Sequence, residues 1–237
     1  MGQKEAFKPS DISVIAFDAD DTLWDCQSYF ETVERHLHGL LSPFCSDPAA
    51  ELFSTESANM DDLGYGSKAF TISVIETALR VGGQHLSADD LSALMRSCRQ
   101  LLHIPATPLP EVEDTLRAIR DADKWKLAVF TKGEIQDQEK KLERSGLRQY
   151  FDFVDIVADK TEEAFRSLCR HAGTEPERLL MVGNSLKSDV APALAIGAKA
   201  VYIPFYVTWK MEHVDDVERD GMTEISHFGQ LKDILVL

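Results

Sequence analysis

The segment ISVIAF, residues 12–17, is an apolar run of strand length that ends directly in acid. VIAFDADDTLWD, residues 14–25, carries Asp18, Asp20, Asp21 and Asp25. A nearly continuous apolar run bounded by polar residues is the pattern of a parallel strand covered on both faces. Carboxylates crowded at the mouth of such a strand repel one another and are costly to desolvate. A cluster placed there holds something or attacks something.

Four further segments read as strands: KLAVFT (126–131), FDFVDIV (151–157), RLLMVGN (178–184) and AVYIPF (200–205). Helical patterns separate them. PEVEDTLRAIRDA spaces Val112, Leu116 and Ile119 along one face. TEEAFRSLCRHAG opens on Thr161 as N-cap and stops at Gly173. SDVAPALAIG places Pro192 in its first turn and ends at Gly197. Strand–helix–strand alternation from about residue 105 onward specifies an α/β fold with an open parallel sheet.

Between the first strand and the second, from about residue 25 to 104, the sequence reads as helix without strand. QSYFETVERHLHGLL aligns Phe30, Val33, Leu37 and Leu40, and KAFTISVIETALRVGG aligns Phe70, Val74, Ile75 and Leu79. SADDLSALMRSCRQLL opens with Ser87 and Asp90 in capping-box spacing. About eighty residues of helix inserted straight after a strand form a second, small helical domain, and the Pro-rich IPATPLP (104–110) marks the return to the sheet. The expected division is 1–24 with 105–237, and 25–104.

Composition restricts the partners. A net charge of −15 argues against gripping nucleic acid through its phosphates. An anionic substrate then has to be met by local positive charge or by a metal. No opening segment has signal-peptide character, and no run approaches the ~20 apolar residues of a membrane span. Cys26, Cys45, Cys98 and Cys169 include no CxxC pair and read as reduced thiols of a cytoplasmic protein. His36 and His38 do not share a helix face and read as solvated.

In open α/β sheets the working residues collect at the carboxyl ends of the strands. That edge offers Asp18 and Asp20 after the first strand, Thr131 after the second, Lys160 beyond the third, and Asn184 and Asp189 after the fourth. A nucleophilic carboxylate, a second carboxylate, a hydroxyl, a lysine and further oxygen ligands suit phosphoryl transfer through an aspartyl phosphate with bound Mg²⁺.

DADDT followed by Leu23 resembles the first motif of the haloacid dehalogenase-like hydrolases, Asp-x-Asp-x-Thr. Thr131 in VFTKG is similar to their second motif, Lys160 in ADKT to the third, and VGNSLKSDV to the fourth. The resemblance implies a Rossmann-like three-layer core with the inserted helices as its cap. It assigns Asp18 as nucleophile and Asp20 as acid and base, and it gives Thr131, Lys132 and Lys160 the phosphate oxygens. Mg²⁺ is implied between the Asp18 carboxylate, the Asp20 backbone carbonyl and the side chains of Asn184 and Asp189. Where the family's fourth motif has Asp after Gly183, this sequence has Asn184, an oxygen ligand without charge. Asp21 is given no chemistry.

Within the family, dehalogenases lack the second aspartate, so Asp20 favours a phosphatase of a small phosphorylated metabolite; a phosphotransferase or mutase shares all four motifs. A receiver-like phosphoacceptor also uses Asp, Thr and Lys around Mg²⁺, but within roughly half this length. LGYGSKAF (63–70), with Tyr65 and Lys68, is the expected substrate-contacting segment of the cap. The substrate itself and the oligomeric state are not written in the sequence.

Overall fold

The computed structural model describes residues 7–206, 209, 212 and 221–237, so the first six residues of the opening segment lie outside it. In chain order its elements are β1 Val14–Phe17, α1 Gln27–Leu41, α2 Pro48–Leu63, α3 Ser67–Gly82, α4 Ala88–Gln100, α5 Val112–Ala122, β2 Lys126–Lys132, α6 Ile135–Ser145, β3 Phe153–Val157, α7 Glu162–Ala172, β4 Leu179–Gly183, α8 Ala191–Ala195, β5 Lys199–Tyr202, β6 Met222–Glu224 and α9 Leu231–Leu235. The chain divides into two compact units, Met1–Asp25 with Ala106–Leu237, and Cys26–Pro105.

In the first unit the described strands form one parallel sheet in the order β3-β2-β1-β4-β5-β6. Side chains alternate across it. Ile15 and Phe17 of β1, Leu127 and Val129 of β2, and Leu180 and Val182 of β4 face α5 and α9 through Val112, Leu116, Ile119, Leu231 and Leu235. Val14, Ala16, Ala128, Phe130, Leu179 and Met181 face α7 through Phe165, Leu168 and Cys169. Helices on both faces of the sheet make the expected three layers. Each buried aliphatic or aromatic side chain contributes ~1.5–3 kcal/mol, and the central strands β1 and β4 carry no polar side chain before their carboxyl ends.

The strand order reverses between β1 and β4, the place where open sheets of this kind leave a crevice. Phe17 is in register with Val182 of β4 and Val129 of β2. Asp18 N extends the ladder by one bond to Val182 O at 2.9 Å, which fixes Asp18 at the crevice. The chain then turns sharply, with Leu23 N on Ala19 O at 2.8 Å and Asp21 N on Trp24 O at 2.7 Å. Asp21 takes a left-handed conformation there, φ 62°, which Asp tolerates better than most residues. It is a turn former.

The second unit consists of α1 to α4 around Val33, Leu37, Leu41, Phe70, Val74, Ala78, Leu94 and Cys98. Ser87 and Asp90 form the expected reciprocal cap of α4. The helix α2 has no counterpart in the apolar pattern, because its buried positions are Pro48, Leu52, Thr55 and Glu56. His36 is not solvated as its sequence context suggests: it is half-buried and bonded to Ser97 Oγ at 2.8 Å. The four cysteines are free thiols. Among the described residues no helix is long and apolar enough to cross a membrane.

Candidate active site

Asp18 is buried at the end of β1. Its Oδ1 accepts from Lys160 Nζ at 2.5 Å, and the same ammonium donates to Asp189 Oδ1 at 2.6 Å. Lys160 stands where β3 has ended and α7 begins, with Thr161 capping α7 through Ala164 N. Its ammonium also lies 5.6 Å from the centre of the Phe130 ring, a favourable seat for a desolvated cation. Burial alone works to discharge Lys160, but Asp18 and Asp189 outweigh it and raise its pKa. Burial likewise pushes the Asp18 carboxyl up, to about 7, against the pull of Lys160, with Asp189 and Asp20 adding to the rise.

Asp189 is 1% exposed, and both its oxygens are engaged. Oδ1 meets Lys160, and Oδ2 accepts from Ser185 N at 2.9 Å. It sits in a π-helical turn, Leu186–Val190, that leads into α8. Asn184, at the exit of β4, turns its Oδ1 towards Thr22 Oγ1 at 3.2 Å, and the same hydroxyl reaches Asp18 Oδ2 at 3.1 Å. One hydroxyl has one proton. Two acceptor oxygens, from Asp18 and Asn184, therefore converge on a single hydrogen.

That convergence is the test of a metal's fit. Oxygen donors in charge excess over their lysine suit a hard divalent cation that keeps several waters, such as Mg²⁺. Among the described residues there is no group of three or more His, Cys, Asp or Glu side chains arranged as a metal site. A divalent cation here would have to draw on the Asn184 amide oxygen and on main-chain oxygen as well as on Asp18.

Asp20 is anchored on α6. Lys141 Nζ reaches both its oxygens, at 2.8 and 2.6 Å, Gln138 Nε2 donates to Oδ2 at 2.8 Å, and Trp24 Nε1 donates to Oδ1 at 2.8 Å. Burial opposes ionisation of Asp20, but Lys141 and these bonds prevail and hold it below the usual carboxylate range. Thr131 is buried near the end of β2. Lys132, the last residue of β2, donates to Ser188 Oγ at 2.8 Å and pairs with Glu212, which also accepts from the hydroxyls of Ser185 and Ser188. Burial works against the Glu212 charge, but Lys132 and the two serines hold its pKa down.

Of the residues singled out in the sequence, the structure joins Asp18, Lys160 and Asp189 directly, and Asn184 to Asp18 through Thr22. Asp20 and Lys132 belong to adjoining networks of the same unit. Tyr65 lies in the second unit, in the turn from α2 to α3 that Gly64 and Gly66 form at φ 65° and 132°, and Lys68 is exposed in the first turn of α3. Sequence reasoning gave no role to Thr22, Ser185 and Ser188, which lie inside the first and fourth motifs, and it missed Gln138, Lys141 and Glu212. A helical reading of IQDQEKKLERS finds two of them, because Gln138 and Lys141 are three apart on one face.

Comparison with known proteins identifies the family. The profile of the haloacid dehalogenase-like hydrolase family matches residues 12–197. The chain is similar to the glyceraldehyde 3-phosphate phosphatase of Methanothermobacter thermautotrophicus, 25% identical over 240 residues, covering 94% of this chain and 100% of that protein. It is 34% identical to the pyrimidine 5'-nucleotidase YjjG of Escherichia coli over 103 residues, 41% of this chain and 45% of that one. A haloacid dehalogenase-like family hydrolase from Xanthomonas campestris superposes with a TM-score of 0.83 at 30% identity, over 95% of this chain and 93% of that chain. With its sheet order, its acidic β1 terminus and a profile match across most of its length, the chain belongs to the haloacid dehalogenase-like hydrolases.

Proposed function

We propose that this chain is a Mg²⁺-dependent phosphatase that hydrolyses a phosphate monoester of a small metabolite through an aspartyl phosphate on Asp18. The observation that carries the reading is the placement of Asp18 at the crevice between β1 and β4, in contact with the buried Lys160. The similarity to a glyceraldehyde 3-phosphate phosphatase and a pyrimidine 5'-nucleotidase supports phosphate esters as the substrate class.

Asp18 attacks phosphorus and the ester oxygen leaves, taking a proton from Asp20. Water then attacks phosphorus of the acyl phosphate, Asp20 accepts a proton from it, and orthophosphate and free Asp18 are released. The donors around Asp20 favour its base form, the form required by the second step; it enters the first step protonated, and the proton it gives to the ester oxygen is recovered from the attacking water. Lys160 compensates negative charge beside the nucleophile, and Thr131 and Lys132 take non-bridging oxygens. Asp189 acts as a positioning residue that holds Lys160. Asp18, the Asp20 carbonyl and Asn184 would hold Mg²⁺, which when bound would neutralise phosphate charge. Tyr65 and Lys68 select the leaving group: replacing either with Ala changes preference among natural phosphates and spares a small aryl phosphate.

The test is turnover of 4-nitrophenyl phosphate with Mg²⁺, followed by a panel that includes triose phosphates and nucleoside monophosphates. Steady turnover lost on chelation and restored by Mg²⁺ is the expected result. Release of halide from 2-haloacids without phosphatase activity would overturn the reading.

A further inference from the structure

The buried face of α6 is polar. Its buried residues are Asp137, Gln138, Lys141, Leu142 and Ser145. Burying a lysine and a glutamine costs several kcal/mol unless each is fully engaged, and a helix packed on a sheet gains more from aliphatic residues. In this helix the polar pair converges on one group. Lys141, 3% exposed at its side chain, spans both oxygens of Asp20 and is itself flanked by Asp137 Oδ2 at 3.7 Å. Gln138 spends the same Nε2 on Asp20 Oδ2 and on Lys132 O, at 2.8 and 3.0 Å. Trp24, fully buried, closes the other side.

Four donor contacts on two oxygens leave a carboxylate little rotational freedom. Asp20 nevertheless keeps 27% of its side chain exposed, so the clamp grips it from behind and leaves one side open. Without the clamp the Asp20 carboxylate has other rotamers open to it, and each one moves the proton-transferring oxygens from the position the clamp fixes. Misplacement by about 1 Å is enough to cost ~10²-fold in rate.

We propose that Lys141, with Gln138, is a positioning residue that clamps the Asp20 carboxylate in its working orientation, so that α6 supplies the support on which proton transfer depends. This rests on the phosphatase reading and on the role of Asp20 in it. Lys141 acts on the reaction through Asp20 alone. Its contribution therefore exists only while Asp20 is able to transfer a proton.

The experiment is a double-mutant cycle on kcat, measured with glycerol 2-phosphate, whose alkoxide needs a proton, and 4-nitrophenyl phosphate, whose phenolate departs readily. Lys141→Met is expected to lower kcat for the alkyl ester by ~10- to 100-fold with KM within ~3-fold, since a proton-transfer group contributes ~10²- to 10⁴-fold. The aryl ester loses much less, and Lys141→Arg recovers most of the alkyl activity. In an Asp20→Asn background Lys141→Met causes no further loss. Multiplying losses in the double variant, or equal losses on both esters, overturn the proposal. Gln138→Met, which keeps volume and removes one donor, is expected to show the same alkyl-selective loss at smaller size. It decides the matter if Lys141→Met does not fold, and an unchanged alkyl rate in it overturns the clamp. Undiminished turnover by Asp18→Asn overturns the phosphatase reading instead, whatever Lys141 does.

Discussion

A Cβ built on Gly183 lies 2.2 Å from Asp189 Oδ2 and 2.4 Å from its Cγ. The last residue of β4 and the carboxylate that holds Lys160 thus share a space that no other side chain can enter. The glycine is required here for room, since its backbone is that of a strand.

Gly183→Ala is expected to move Asp189 and, with it, the Lys160 ammonium. Overpacking of this kind costs ~1–3 kcal/mol of stability. Turnover is expected to fall roughly 10²-fold as well, because the group beside the nucleophile is displaced. Thermal melts paired with kcat on an aryl phosphate check both parts. Wild-type turnover in Gly183→Ala would show that the position of Asp189 does not govern Lys160.

Asp18→Asn is expected to abolish turnover while the fold survives. The amide is close to isosteric, and Lys160 retains Asp189 as a partner at 2.6 Å, so the ammonium is not left alone in the interior. What disappears is the nucleophile. A circular-dichroism melt near that of the parent together with no release of orthophosphate is the expected pair of results. Turnover of wild-type order would sink the covalent mechanism.

The parts of this molecule legible in its sequence are those whose burial is apolar. β1, β2 and β4 announce themselves as continuous apolar runs because both their faces are covered, and α7 is bracketed by Thr161 and Gly173, whose capping geometry the structure reproduces. α6 and α2 do not stand out, for one shared reason: their buried positions include Gln138, Lys141, Thr55 and Glu56, which hydropathy scores as surface. β6 has three residues and little periodicity to show. Within the site, the spacing of Asp18 and Asp20 and the strand-end positions of Thr131, Lys160 and Asn184 follow from local sequence. The contacts of Asp20 with α6 and of Lys132 with Glu212 join positions more than seventy residues apart. No local pattern encodes them.

Glu212 occupies Lys132 and the hydroxyls of Ser185 and Ser188 with its carboxylate; if Lys132 takes a phosphate oxygen as proposed, Glu212 competes with the substrate for it. Glu212→Gln keeps the shape and removes the charge. We expect KM for phosphate esters, and the inhibition constant of orthophosphate, to fall ~3- to 10-fold, or ~0.7–1.4 kcal/mol, with kcat little changed. A higher KM would mean that Glu212 instead holds Lys132 in place for the substrate.

The last prediction concerns Asn184, whose Oδ1 shares the Thr22 hydroxyl with Asp18 Oδ2. If Mg²⁺ draws these two oxygens together, Asn184→Asp gives the cation a full extra charge and tightens its binding. The gain is reduced by repulsion from Asp18, which burial already disfavours as an anion. The Mg²⁺ concentration for half-maximal activity is expected to fall roughly tenfold, ~1.4 kcal/mol. The rate at saturating metal need not rise, because the added charge also opposes the incoming phosphate. Asn184→Ala shifts the requirement the other way, since it leaves Thr22 and Asp18 with one oxygen fewer at the site. Mg²⁺ titrations of the three proteins, by activity and by calorimetry, read the effect independently of the chemical step. Three superimposable curves would remove Asn184 from the metal site and leave Asp18, the Asp20 carbonyl and water to hold the cation.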